Sequence, residues 1–129
     1  MFASLDRAEA ILSKQRYLAG TVLTEADLRL FTTMVRFGST KLFLSLFYLN
    51  LVDPAYVLLF KCNLKTVEHG YPHILKLLRR IYQYDGGVIQ NTVNNKHIKD
   101  CYFISEDELN PNRIVPLGNG PDLSVPVDG

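Results

Sequence analysis

Two thiols, three imidazoles and seven phenols are the groups in this 129-residue chain that can do covalent or proton-transfer chemistry. A thiolate attacks sulfur or carbon. An imidazole moves protons near neutral pH. A phenol holds or donates a proton where it is placed against a substrate. Cys62 and Cys101 form no CxxC pair and have no histidines at zinc spacing. Cys62 lies among apolar residues and reads as a buried free thiol. His69 and His73 are four apart, the spacing of two ligands on one helical turn, but Gly70 and Pro72 lie between them. They are not expected to share a helix, and no metal is assigned. Cys101-Tyr102-Phe103 follows Lys96-His97-Ile98-Lys99, so one segment gathers bases, a thiol and a phenol. No nucleophile elbow, P-loop, dinucleotide fingerprint or HExxH is present. Residue chemistry alone stops at a helical domain whose activity is not written in a catalytic motif.

The elements that must position these groups are helices. Phe2, Leu5, Ala8, Ile11 and Leu12 form one apolar face opposite Asp6, Arg7, Glu9 and Lys14. Gln15 to Gly20 reads as a helix end and turn, with Gly20 free to take a positive φ. Thr24 then starts a second helix. Its hydroxyl can accept the Asp27 N–H, and the Asp27 side chain can reach back to the Thr24 N–H. That makes a capping box of Thr24 and Asp27, with Leu23 and Leu28 at the positions of a hydrophobic staple. Leu28, Phe31, Met34 and Val35 share a face, and Leu30 and Phe37 form a second strip. So wide an apolar surface is expected of the helix at the centre of the bundle.

Gly38 to Val52 follows neither period, and Leu42 to Val52 is apolar on every side but for Ser45 and Asn50. Asp53-Pro54 reads as a helix start. Leu64 to Gly70 reads as a connector or a short helix stopped at Gly70. Tyr71-Pro72 opens a helix whose stripe is Ile74, Leu75, Leu78, Ile81 and Tyr82, and Asp85-Gly86-Gly87 ends it. Val88 to Lys99 is expected to hold a short helix near Asn91-Thr92. From Ser105 on, Asn110-Pro111, Pro116, Gly118-Asn119-Gly120-Pro121 and Pro126 dictate an irregular tail.

Composition bounds the rest. Apolar residues make up 47% and charged residues 21%, the profile of one globular domain. A formal net charge of +1 gives no broad field for nucleic acid or membrane, so neither is expected as a partner. The most apolar run, Leu42 to Phe60, is broken by Asn50 and Asp53-Pro54, short of the ~20 uninterrupted apolar residues of a spanning helix. No signal peptide is expected in the first 20 residues, which carry Asp6, Arg7, Glu9, Lys14 and Arg16. With only two cysteines, the expected location is the cytoplasm.

The chain resembles the C-terminal helical domain of glutathione transferases, through Lys14-Gln15-Arg16-Tyr17-Leu18-Ala19-Gly20 and Leu23-Thr24-Glu25-Ala26-Asp27-Leu28-Arg29-Leu30-Phe31-Thr32-Thr33. Further words narrow the resemblance to the xi class, the glutathionyl-hydroquinone reductases. They are Arg36-Phe37, Asp53-Pro54-Ala55-Tyr56-Val57, Phe60-Lys61-Cys62-Asn63-Leu64, Tyr71-Pro72, Thr92-Val93-Asn94 and Lys96-His97-Ile98-Lys99, then Asn110-Pro111, Arg113-Ile114-Val115-Pro116 and Gly120-Pro121. The implied fold is all-α: part of a transferase helical bundle over residues 1–104, with an irregular tail over 105–129.

The resemblance also implies a reaction. A cysteine of a thioredoxin-like domain attacks the thioether sulfur of a glutathionyl-hydroquinone, hydroquinone leaves, and a second glutathione resolves the mixed disulfide. Glutathione is the co-substrate, glutathionyl-hydroquinones are the substrates, and family members form homodimers. A family tyrosine that faces the quinol corresponds to Tyr102, whose neighbours Cys101 and Phe103 replace the family's His and Tyr. Neither Cys62 nor Cys101 matches the catalytic cysteine. The thioredoxin-like domain is not expected in this chain, so the chain alone is not expected to turn over. The alternative is a non-catalytic helical module used for protein association.

One departure is an insertion. Family members run from Arg-Phe straight into Asp-Pro, whereas Gly38 to Val52 intervenes here. These 15 residues read as a translated intron, because Gly38 as GGT and Val52-Asp53 as GTAGAT would supply GT and AG edges in frame. The rival is a true insertion.

Overall fold

The computed structural model describes residues 2–37, 67–105, 107–108, 110–115 and 121–127. The readings of Gly38–Val52, of Asp53-Pro54 and of Cys62 lie outside the described residues, as does the His69 side chain. The order is α1 (Phe2–Leu12), α2 (Glu25–Phe37), α3 (Val67–Gly70), α4 (Pro72–Tyr82), a single turn α5 (Tyr84–Gly87) and α6 (Asn95–Ile104). A 3-10 turn, Gln90–Thr92, precedes α6. No strand occurs among the described residues.

Among the described residues the core is organised by α4, not by α2 as the apolar surface of α2 led us to expect. Helices α1, α2 and α3 each pack on α4. Ile74, Leu77 and Ile81 are fully buried, Leu78 is 1% exposed, and Leu75 is also buried. Positions 74, 77, 78 and 81 cover two adjoining strips of one helix, so α4 serves several neighbours at once. Each such side chain contributes about 1.5–3 kcal/mol through burial. Helix α2 offers Phe31, Met34 and Val35 to the same core but leaves Leu28 39% exposed and Leu30 half-buried. The apolar residues of α2 outnumber those it buries, and a count of apolar types on α2 had hidden that. Helix α1 contributes Leu12, with Phe2, Leu5 and Ala8 packed behind it, while Ile11 stands at the solvent edge.

Helix α4 has an unusual start. Its N-cap, Tyr71, makes no side-chain cap, and Pro72 brings no N–H. The first turn still has donors to satisfy. Glu9 of α1 supplies both acceptors: Oε1 takes the His73 N–H at 2.8 Å and Oε2 takes the Ile74 N–H at 2.9 Å. The Leu75 N–H goes to the Tyr71 carbonyl. Every free amide of the turn is thereby paired. One turn earlier on α1, Asp6 accepts from the Tyr71 hydroxyl at 3.1 Å.

The chain reverses after α4 at Asp85, Gly86 and Gly87, all at positive φ. The tail then crosses back over the end of α4. Arg79 Nε donates to the Asp122 carbonyl, and Gln83 Nε2 donates to those of Leu123 and Val125, both at 2.7 Å. The Leu123 side chain packs against the core.

Candidate functional site

Two of the residues singled out from the sequence, Thr24 and Asp27, meet at the start of α2. The Thr24 N–H donates to Asp27 Oδ2 at 2.9 Å. The Thr24 hydroxyl does not accept from the Asp27 N–H, as a standard capping box requires. It donates to Asp27 Oδ2 at 2.7 Å, and the Thr24 carbonyl takes the Asp27 N–H instead. A buried carboxylate is a stronger acceptor than a hydroxyl, so the hydroxyl turns its proton toward it. Asp27 Oδ1 takes the Leu18 N–H at 2.7 Å. Asp27 is fully buried, and its three donors hold the preceding loop against α2.

That loop is itself stitched: the Gln15 amide donates to the carbonyls of Tyr17 and Leu18, and Tyr17 and Gly20 exchange backbone hydrogen bonds. Gly20 sits at φ 125°, a conformation that a side chain would strain. Of the staple pair, Leu23 packs on the core and Leu28 is more than a third exposed.

The phenol singled out, Tyr102, stands on another element, α6, which was not expected as a helix of this length. Its signal was the Asn94 side chain. Asn94 is extended (φ −109°, ψ 92°) and accepts the His97 N–H at 2.9 Å, an N-cap that the Asn94-Asn95-Lys96-His97 run allows. The short helix expected near Asn91-Thr92 is the 3-10 turn.

Helix α6 sorts its residues by face. Asn95, Ile98, Lys99 and Tyr102 are half-buried, while Lys96, His97, Cys101 and Ile104 are exposed. Tyr102 is therefore on the inner stripe and Cys101 on the outer one. No hydrogen bond to the Tyr102 hydroxyl is present among the described residues. Burial holds the Lys99 ammonium below its ordinary pKa, against the opposing pull of Asp100. Lys96 and Asp100 pair across one turn at 2.5 Å on the outer side. Phe103 is 4% exposed and roots the helix end.

The loop after α6 is short and closed. Asn110 Nδ2 donates to the Phe103 carbonyl at 2.8 Å and to that of Ile114 at 3.0 Å. Arg113, at φ 49°, gives its N–H to the Asn110 carbonyl. Its guanidinium holds Asp107 with both oxygens engaged. The hydrogen bonds from Arg113, and then its charge, lower the Asp107 pKa.

Two further sites were not legible. His73 Nδ1 lies 2.8 Å from Glu9 Oε1, so its ring joins the cap of α4. The guanidiniums of Arg16 and Arg80 lie 5.9 and 5.6 Å from the centre of the buried Tyr17 ring. Burial, and then repulsion by Arg16, lower the Arg80 pKa, with Tyr17 opposing. No cluster of His, Cys, Asp or Glu among the described residues is arranged to hold a metal ion. No described helix is long and apolar enough to cross a membrane.

The capped helix, the stitched loop before it and the bundle around α4 define a class. Residues 1–80 match the family model of the glutathione S-transferase C-terminal domain, and the chain belongs to that family. Its relatives are xi-class transferases and glutathionyl-hydroquinone reductases. It is 42% identical over 125 residues to the Schizosaccharomyces pombe protein named glutathione S-transferase omega-like 2, a match covering 95% of this chain and 35% of that one. It is 42% identical over 126 residues to the glutathionyl-hydroquinone reductase YqjG of Escherichia coli, covering 98% of this chain and 33% of that one. The glutathione-bound structure of that protein matches with a TM-score of 0.76, over 97% of this chain and 35% of that chain. The xi transferase of Phanerochaete chrysosporium matches with a TM-score of 0.75 at 42% identity, over 98% of this chain and 35% of that chain. The chain thus spans about a third of the length of the relatives it matches.

Proposed function

We propose that this chain is the quinol-side helical part of a glutathionyl-hydroquinone reductase, with Tyr102 as a phenol of the quinol pocket. The observation that carries the reading is the placement of Tyr102. It lies half-buried on the inner stripe of a capped helix, beside Lys99, with a hydroxyl that no described residue occupies. A phenol so placed can hydrogen-bond a quinol hydroxyl and hand over a proton as the carbon–sulfur bond breaks. The substrates are glutathionyl-hydroquinones, and glutathione is the co-substrate. Cys101 is exposed on the outer side of α6, away from the Tyr102 stripe, and the attacking thiol is assigned to the thioredoxin-like domain of the whole enzyme. The domain division is residues 1–104 for the bundle and 105–129 for the tail, and the whole enzyme is a cytoplasmic homodimer.

The test is a chimera in which this chain replaces the matching third of the Escherichia coli reductase. Release of hydroquinone from a glutathionyl-hydroquinone supports the reading, and a folded chimera without turnover contradicts it. The second reading, a helical module for protein association, draws on exposed Val22 (70%) and Leu28 (39%) at the start of α2. A dead chimera together with a chain that self-associates reversibly would favour it.

A further inference from the structure

Helix α6 ends without the usual devices. Its C-cap, Ser105, is right-handed at φ −85°, and no basic residue lies in its last turn. The last carbonyls of a helix need donors from elsewhere. Asn110 provides one. Its amide donates to the Phe103 carbonyl and to the Ile114 carbonyl, spanning the helix end and the far side of the loop. Arg113 returns a backbone N–H to the Asn110 carbonyl, so Asn110 is fixed at both its side chain and its main chain. Phe103 is buried and adjoins Tyr102 in the last turn. The turn that carries the phenol is therefore closed by a residue seven positions further on.

We propose that Asn110 is a positioning residue for Tyr102: its amide ties down the last turn of α6 and so fixes where the phenol stands. The assignment of a role to Tyr102 rests on the quinol-pocket reading. The clamp itself is a matter of two hydrogen bonds and is tested without activity. A side chain held by packing and by hydrogen bonds behind it keeps the sub-ångström placement that proton transfer needs. The clamp also gives the Asn110-Pro111 and Arg113-Ile114 words a physical task. Asn110 donates, Pro111 starts the turn, and Arg113 closes it onto Asp107.

The experiment uses the full chain with isotopically labelled tyrosine, the Tyr102 signal being assigned by its loss in Tyr102→Phe. Asn110→Asp keeps the shape and removes both donors. It is expected to shift the Tyr102 ring resonances and to speed amide exchange at residues 102–104 about tenfold. The Tyr17 ring, in the distant stitched loop, is expected to stay in place. Arg113→Gln loosens the ion pair but leaves the Asn110 amide, and is expected to leave Tyr102 unmoved. The proposal is overturned if Asn110→Asp leaves Tyr102 and its amides unchanged, if it moves Tyr17 equally, or if Arg113→Gln matches its effect on Tyr102. Where Asn110→Asp does not fold, Asn110→Ala, which removes the amide without adding a charge, is expected to shift the Tyr102 ring resonances as well. No shift in that variant also overturns the proposal. A chimera without turnover would remove the quinol reading and leave these spectra to decide the clamp.

Discussion

Helices α2 and α4 both start on a carboxylate, and the two carboxylates come from different places. Asp27 lies in the first turn of the helix it caps. It accepts from Thr24, three residues before it, and from Leu18, nine before it. Glu9 caps α4 from α1, 64 positions away along the chain. Both satisfy amides that burial would otherwise leave unpaired. The difference lies in what each depends on. The box at Asp27 forms with only its own loop in place, so it can fix the start of α2 before any helix packs. The cap at Glu9 exists only once α1 lies against α4. It therefore reports tertiary assembly rather than local preference, and it links the stability of α4 to the docking of α1.

Breaking the Asp27 anchor is expected to have the largest effect. Asp27→Ala leaves the Leu18 N–H, the Thr24 N–H and the Thr24 hydroxyl without their acceptor in a part-buried loop, and should cost about 3 kcal/mol. Asp27→Asn keeps one acceptor oxygen and should cost roughly half as much. Urea midpoints measure both. Glu9→Ala comes next. It strips two amides of their acceptor at the end of a helix, for about 1–2 kcal/mol. The sharper form of the comparison is kinetic. Glu9→Ala should act mainly on unfolding if α1 docks late, and Asp27→Ala mainly on folding if the box forms early. The reverse pattern in stopped-flow rates would break the contrast.

His73→Ala follows. It removes the ring from Glu9 but leaves both backbone hydrogen bonds, and at 44% side-chain exposure the pair should be worth less than about 1 kcal/mol. A double-mutant cycle with Glu9→Ala isolates that term.

The smallest expected effect is in the tail, where the anchor is fully exposed. Arg113 holds the Asp107 pKa below its ordinary value. Folding therefore gains from this pair at pH above the unfolded aspartate value, and loses the gain as pH falls through the lower folded one. Asp107→Asn should lower the thermal midpoint slightly at neutral pH, leave it unchanged at pH below the folded value, and so flatten the acid limb of the profile.

The same contrast explains what could be read in advance. The parts of the Asp27 anchor all lie between Leu18 and Leu28, and type and spacing announce them. Two things escaped: the direction of the Thr24 hydroxyl, which depends on the burial of the carboxylate, and the Leu18 N–H as a further donor, which depends on how the loop folds back. The Glu9 cap could not be read. The Tyr71-Pro72 start visibly lacked a capping side chain, but which distant carboxylate would serve depends on how α1 lies. The central place of α4 was missed for a related reason. Leu77 lies next to the stripe rather than on it, and its full burial depends on how many neighbours surround the helix. Tyr102 was found through its neighbours in a family word. The helix beneath it was in reach through Asn94, but Asn110, which closes that helix, becomes visible only when the loop is folded.

The central claim is that Tyr102 faces the quinol. The most direct measurement is the turnover of glutathionyl-hydroquinone by the chimera, with and without Tyr102→Phe. Loss of a positioned acid predicts a fall in kcat of about 100-fold or more, with KM changed little. An unchanged kcat in a folded Tyr102→Phe chimera would contradict the account.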